Sequence, residues 1–193
     1  MKVLVSRNYL TNIANSIRTN LLSSTTYTPE EMSMAIDSIP STYAPRHISF
    51  RDYKGTDLTN EMAGLDTSNI TLMSAMFYNC TGLVNLNVSQ FNTVKVTSMR
   101  YMFYSCSWLI NLDLSNFNTN NVTDMSGMFS GCERLQRLDL RNFNFSNVNN
   151  YNSMLINVPN NCLIIVKDNT AKNWILSKFT QLTNVKTVAE IGE

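Results

Sequence analysis

A repeat of 26 residues runs through the middle of this sequence. Three segments align without gaps, beginning at Leu65, Phe91 and Phe117, and a degraded fourth copy begins at Phe143. Sulfur-containing and aromatic residues recur in phase within them: Met73, Met99 and Met125; Met76, Met102, Met128 and Met154; Phe77, Phe103 and Phe129; Cys80, Cys106 and Cys132. One unit of this length cannot bury its own apolar face, so we expect the units to stack.

Each unit combines two patterns of apolar residues. In the third unit, apolar residues from Val122 to Cys132 recur at helical spacing, with Asn121 placed to cap and Asp124 placed to complete a capping box. This half is predicted to be a short helical or turn-rich segment. The other half, LQRLDL, ends in the alternation of a short strand. Stacked in register, such strands form a parallel sheet about 4.8 Å apart, occupied by Leu86 and Val88, Leu112 and Leu114, Leu138 and Leu140, then Ile164 and Val166.

These residues resemble the leucine-rich repeats of BspA-type surface proteins, whose units read close to LDLSNFNTSNVTDMSGMFSGC. The resemblance covers about residues 65–150. It implies an α/β solenoid, a leucine-rich repeat with 26-residue units and a short parallel sheet. Such repeats are binding scaffolds, and the fold alone does not fix the ligand.

The recurring sulfur could mark a metal site or a core. A tetrahedral zinc needs four converging ligands, whereas equivalent cysteines lie one unit apart; copper(I) would tolerate Met and Cys. The Met positions interleave with Phe and Val at a core period, so we predict a core and no metal or cofactor. Disulfides between neighbouring units are conceivable but would leave one of the three equivalent cysteines unpaired. Cys162 is expected to be buried near the C-terminal end.

Residues 1–45 are predicted to form an N-terminal helical hairpin. The segments YLTNIANSIR and YTPEEMSMAIDSIP each carry one apolar face, formed by Leu10, Ile13 and Ile17 and by Met32, Ile36 and Ile39. The hairpin resembles an N-terminal segment of tail-associated proteins of bacteriophages and prophages of Gram-positive bacteria, with LTNIANAIR followed by YTPEEMAAAI, over about residues 9–39. The resemblance implies a virion component that contacts other virion proteins. Packing on itself, on the solenoid or on another subunit stays open.

Residues 46–193 are predicted to form the solenoid with its two caps. Ile48 and Phe50 are expected to supply an opening strand. CLIIVKD gives the last full strand, and NTAKNWILSKFTQL predicts a helix within a capping segment of about 168–193. Val185 and Val188 suggest a short final strand.

Features of an enzyme are sparse in the sequence. His47 is the single histidine, and it stands in no recognisable catalytic motif. Fifteen Lys and Arg balance fourteen Asp and Glu, which disfavours nucleic-acid and anionic-membrane partners. MKVLVSRNYL lacks the apolar stretch of a secretory signal, and no run is long enough for a membrane span. We therefore predict a non-enzymatic protein without catalytic residues. A calcium site at Asp113 and Asp139 is the weaker alternative to solvent exposure.

Side chains between the inward leucines are predicted to form a ligand-binding face on the opposite side of the sheet. It has three rows: Asn85, Asn87 and Ser89; Asn111, Asp113 and Ser115; Arg137, Asp139 and Arg141. Trp108 and Tyr104 could add aromatic contact. Amide and hydroxyl rows suit carbohydrate hydroxyls or peptide backbones, and an ordinary solvated face is the alternative.

Together these patterns predict a bacteriophage virion structural protein, associated with tail, baseplate or fibre, that adheres to a host-surface protein or polysaccharide. It would be made in the host cytoplasm and reside in the virion. A bacterial cell-surface adhesin and a purely architectural capsid or tail decoration subunit are the alternatives. Self-association into a homo-oligomer is left open.

Overall fold

The computed structural model describes residues 48–59, 61–62 and 64–193. The predicted hairpin of residues 1–45 and the histidine at position 47 lie outside the described residues, so their predictions stand as they are.

Four short strands form one parallel sheet in sequence order: β1 Asn111–Asp113, β2 Arg137–Leu140, β3 Leu163–Val166 and β4 Val185–Thr187. The predicted register is found from Leu112 onward, since Leu112 pairs with Leu138 and Leu138 with Ile164. The strand predicted at Leu86 and Val88 does not form, and Asn85 beside them makes an isolated bridge to Asp57. Helix α1, Asn169–Lys178, connects β3 to β4, and the short helix α2, Val188–Ile191, follows β4. The described chain is therefore an α/β structure with a short parallel sheet.

The other half of each unit is built from turns. Isolated parallel bridges join Leu72 to Ser98, Ser98 to Asp124 and Asp124 to Asn150. From there, backbone N–H groups of one unit donate to carbonyls of the next, as Tyr101 does to Ser126 at 2.9 Å. Equivalent residues of successive 26-residue units thus lie side by side.

The capping box predicted at Asp124 is wrong. Its carboxylate accepts the backbone N–H of Ser126 at 2.8 Å, while the Asn121 amide donates to the Val94 carbonyl at 2.8 Å. A helix cannot continue here because residues in this segment adopt left-handed backbone conformations, with φ of 60° at Gly127 and 78° at Gly131. Of the two predicted alternatives, the turn-rich segment is the one formed.

The prediction that sulfur lines a core is confirmed. Cys80, Cys106 and Cys132 are free thiols with 0% exposure. Each donates to a phenylalanine carbonyl of the preceding unit, as Cys106 does to Phe77 at 3.1 Å. The methionines of the repeat are likewise buried: Met73, Met76, Met99, Met102, Met125, Met128 and Met154.

Two columns of phenylalanine rings run along the stack inside this core. Phe50, Phe77, Phe103 and Phe129 stack nearly parallel with ring centroids 5.6, 5.5 and 5.7 Å apart. A second column contains Phe91, Phe117 and Phe143 at 6.4 Å spacing. Each ring buries a large apolar area and contacts its equivalents in neighbouring units. Aromatic packing therefore links the units.

Buried threonines form a polar ladder beside the rings. Thr93 Oγ1 donates to the Asn118 carbonyl at 3.0 Å and accepts the Asn118 N–H at 2.7 Å. Thr67 and Thr119 make the same pair of bonds to Asn92 and Asn144. Each hydroxyl thus satisfies two backbone groups that would otherwise be costly to bury.

The first end of the stack differs from the prediction. Residues 48–50 do not form a strand. Instead the Phe50 N–H donates to the Met76 carbonyl at 2.6 Å and its ring stacks on Phe77, so this segment covers the turn half of the first unit. Asp57 makes the parallel bridge to Asn85 on the strand side.

The helix predicted after the last full strand forms as α1. Asp168 caps the helix by accepting the Ala171 N–H at 3.0 Å. The Trp174 ring then stacks on Phe145 with centroids 4.4 Å apart. The predicted final strand forms as β4, although Val188 begins α2. Neither helix in the described part of the chain is long and apolar enough to cross a membrane.

Candidate ligand-binding face of the sheet

Two rows of the predicted face are mostly exposed to solvent, and we call them the open rows. The third row is mostly covered, and we call it the closed row. Asn85, Asn87 and Ser89 of the first row are exposed, as are Asn111 and Asp113 of the second, while Ser115 is half-buried. In the third row Arg137 and Arg141 are half-buried, and Asp139 is 1% exposed. Exposed and buried residues therefore alternate in the first two rows, where Leu86 and Val88 and then Leu112 and Leu114 are buried.

The side chain of the central residue of each row accepts a hydrogen bond from the backbone two residues further on. Asn87 Oδ1 accepts the Ser89 N–H at 3.0 Å, and Asp113 Oδ1 accepts the Ser115 N–H at 2.8 Å. Asp139 Oδ1 accepts the Arg141 N–H at 3.2 Å. These are Asx turns, in which a short polar side chain satisfies the backbone two residues on. One acceptor atom in each row is therefore already engaged.

Asp113 is the exposed carboxylate of this face. Partial burial raises its pKa, but hydrogen bonds from Ser115 and the positive charges of Arg141 and Arg137 outweigh that effect. The net pKa lies below the ordinary value, so Asp113 is an ionised acceptor at neutral pH.

The third row is closed by ion pairs within the chain. Arg141 donates two hydrogen bonds to the Asp139 carboxylate, from Nε to Oδ1 at 3.0 Å and from Nη2 to Oδ2 at 2.7 Å. Arg137 Nη2 lies 3.4 Å from Asp139 Oδ2. Both arginines also contact the Glu193 carboxylate. The bonds to Asp139 and Glu193 raise the pKa of Arg141. The free part of the predicted face is thus the first two rows, with donors and acceptors suited to hydroxyl or amide ligands.

The predicted aromatic contacts fall on a different surface. Tyr104 is half-buried and stacks on Tyr78 with centroids 4.9 Å apart. Trp108 is 51% exposed, and the Arg134 guanidinium lies 4.3 Å from its ring centroid. Trp108 lies three residues before β1 and Arg134 three residues before β2, whereas Tyr104 belongs to the turn half of its unit.

A cleft that the repeat pattern does not predict lies beside Arg134. It has a volume of about 480 Å³ and is lined by Glu133, Arg134, Leu135, Gln136, Pro159 and Asn161. One feature of the sequence could have indicated it. The side chains at one position of successive units differ in size, charge and polarity: Gly82, Trp108, Arg134 and Asn160. Such a position is free of the constraints that fix the core columns.

The buried thiols are poor candidates for chemistry. Burial raises the pKa of Cys132 and of Cys162 to about 12 each. Both thiols are therefore protonated at neutral pH, whereas the thiolate is the reactive form. Within the described ranges, no group of three or more His, Cys, Asp or Glu side chains is placed to hold a metal ion.

Comparison with known proteins places this parallel α/β structure in a family. Residues 47–168 match the family DUF285, described as a Mycoplasma protein of unknown function. Because the match covers more than half of the chain, the protein belongs to this family. No curated protein and no solved structure matches the sequence significantly.

Proposed function

We propose that this protein is a bacteriophage virion structural protein of the tail, baseplate or fibre, and that residues 46–193 form a leucine-rich-repeat solenoid that binds a host-surface ligand. The N-terminal segment would contact other virion proteins, a role that rests on its resemblance to tail-associated proteins over about residues 9–39. The binding role rests on the two open rows of the sheet face.

One observation carries the binding role. Asn85, Asn87, Asn111 and Asp113 are exposed at corresponding positions of successive units, while the leucines that alternate with them, Leu86 and Leu112, are buried. Interior positions repeat nearly unchanged from unit to unit, whereas the exposed positions can vary without disturbing packing. This division supports a scaffold that displays a recognition surface.

The virion role is tested by mass spectrometry of purified particles and immunogold electron microscopy with an antibody against this chain. We expect the protein in particles at a fixed ratio to the major tail protein and gold at one place on the tail. Particles from a wild-type infection that lack the protein would end the virion assignment.

The binding role is tested by adsorption of the labelled full-length chain to permissive host cells. Asn85→Arg and Asn111→Arg place long charged side chains on the open rows and should reduce adsorption at least tenfold. Val94→Arg, at a position 51% exposed outside the face, is the matched control and should adsorb normally. Normal adsorption by both face variants would favour the architectural alternative, with which the ion-paired third row agrees.

A bacterial cell-surface adhesin of the same repeat type is the second candidate. The family description, a Mycoplasma protein, favours it, since it refers to a bacterium. Immunofluorescence on intact uninfected bacteria that encode the gene separates the two: surface staining supports the adhesin, and staining confined to virions supports the phage protein.

A further inference from the structure

Trp108 presents an aromatic surface beside the sheet edge. It is 51% exposed, which is high for so large an apolar side chain, and Arg134 stacks on it at 4.3 Å. An exposed tryptophan held by a cation on one side offers a rigid contact surface, because little conformational entropy is lost when a ligand binds.

The second face of the indole is unobstructed by the equivalent residue of the preceding unit. Arg134 occupies the position of Trp108 in the following unit, and Gly82 occupies it in the preceding unit. A Cβ atom at Gly82 would lie 2.3 Å from the Lys54 carbonyl oxygen, so a side chain is excluded there. The preceding unit therefore carries no side chain at this position that could cover Trp108.

The cleft beyond Arg134 contains unused polar groups. The side chains of Glu133, Gln136 and Asn161 are exposed and make no hydrogen bond or ion pair within the described part of the chain. By contrast, the amides of Asn121 and Asn147 bond to neighbouring units at 2.8 and 2.7 Å. The cleft thus offers a carboxylate and two amides, with donors and acceptors both available.

We propose that Trp108, Arg134 and the adjoining cleft form a binding strip for an uncharged polysaccharide. Sugar rings combine an apolar C–H face, which packs on an indole, with hydroxyls that need donors and acceptors together. Glu133 and Arg134 carry opposite charges, so the strip has no net charge to select an ionic ligand. This inference names the ligand class within the proposed host-surface function and rests on that function.

The strip fits an extended polymer. Trp108, Arg134 and Asn160 occupy equivalent positions of three successive units, so the strip spans roughly 10 Å at the usual spacing of neighbouring strands. Two to three linked sugar rings cover that distance. Trp108 would hold one ring, and Gln136 and Asn161 would bond to hydroxyls of the next.

The test is affinity gel electrophoresis of the full-length chain in gels containing dextran, starch, β-glucan, galactomannan or soluble chitosaccharide. Gels with alginate or hyaluronan serve as acidic comparisons. We expect retardation by at least one uncharged polymer. Trp108→Ala should weaken it at least tenfold and Trp108→Phe less, while Gln136→Ala and Asn161→Ala should each weaken it several-fold. Val94→Ala, equally exposed, is the control and should be retarded normally.

Three results would overturn the proposal: no retardation of the wild type by any uncharged polymer, equal retardation of Trp108→Ala, or retardation by acidic polymers alone. Thermal melting of each variant by circular dichroism checks that folding is intact. Adsorption to host cells without any polysaccharide retention would sink this inference and leave the proposed function standing. If a polysaccharide retards the protein in gels but the protein is absent from virions, the virion assignment fails and the polysaccharide-binding inference stands.

Discussion

The carboxylate of Asp139 lies beneath the guanidinium of Arg141, joined to it by two hydrogen bonds of 3.0 and 2.7 Å. The Asp139 side chain is 2% exposed and that of Arg141 is 28% exposed. A buried charge of this kind is tolerated because its partner is fixed in place. In the register of the sheet, Asp113 is the neighbour of Asp139 and is exposed.

This contrast gives a matched pair of substitutions. Asp139→Asn removes the charge that Arg141 needs, and we expect it to lower the free energy of unfolding by about 3 kcal/mol. Asp113→Asn keeps a side-chain oxygen that can accept the turn hydrogen bond, as Asn87 does in the first row. It should change the free energy of unfolding by less than about 0.5 kcal/mol. Urea denaturation measures both. Equal effects would mean that the Asp139 ion pair does not stabilise the fold.

A left-handed backbone position recurs in every unit, with φ of 56° at Ala75, 57° at Tyr101, 60° at Gly127 and 60° at Ser153. An L-residue pays roughly 1 kcal/mol or more there. Ala75→Gly should therefore raise the free energy of unfolding, by an amount reduced to about 0.5 kcal/mol by the greater freedom of glycine in the unfolded chain.

The reverse substitution at the same position of the third unit should be harmful. A Cβ at Gly127 would lie 2.3 Å from the Tyr101 ring, so Gly127→Ala adds a steric clash to the backbone strain. We expect a loss of about 2 kcal/mol. Thermal and urea unfolding of both variants provide the check, and a stabilising Gly127→Ala would contradict the geometry.

The threonine ladder predicts a cost for an almost isosteric change. Thr93→Val keeps the shape of this buried side chain but leaves the N–H of the half-buried Asn118 without its acceptor at 2.7 Å. We expect a loss of about 1–3 kcal/mol, which is the penalty for an unsatisfied buried group. Thr56→Val, at an exposed position, is the control and should be nearly neutral. A neutral Thr93→Val would show that the ladder is dispensable.

Glu190 makes part of the stability dependent on pH. Hydrogen bonds from Lys172 and from the Thr187 backbone lower its pKa from 4.5 to about 2. Because the folded state favours the ionised form, the stabilisation is complete above pH 4.5 and is lost as the pH falls towards 2. The stability difference between wild type and Glu190→Gln should therefore shrink over this range in urea titrations. Val94→Ala, which removes no titratable group at a position 51% exposed, is the control and should differ from wild type equally at every pH.

The core was predictable because its spacing is dictated by the backbone. Phe103 and Phe129, or Cys106 and Cys132, must occupy equivalent places when units of one length lie side by side. The helix-like spacing from Val122 to Cys132 was ambiguous, since successive turns closed by bonds between residues three apart give a similar period. Glycine marks the left-handed positions in the third unit alone, whereas Tyr101 and Ser105 conceal them in the second.

The closed third row could not be predicted from the strand pattern. Alternation places Asp139 outward, but its burial depends on Arg141 and on Glu193, which lies 52 residues further along the chain from that arginine. The cleft beside Arg134 was hidden for a related reason. It forms between residues of the third and fourth units, and the repeat itself specifies neither Gln136 nor Asn161.

The single file of parallel rings from Phe50 to Phe129 has a consequence for how genes of this kind can change. Each ring stacks on the ring of the preceding unit and on that of the following unit in the same way. A duplicated segment of whole-unit length could therefore be inserted between two units with the same ring-on-ring contacts on both sides. Relatives are then expected to differ in length by complete modules, and tandem duplication offers a direct route to a longer recognition surface.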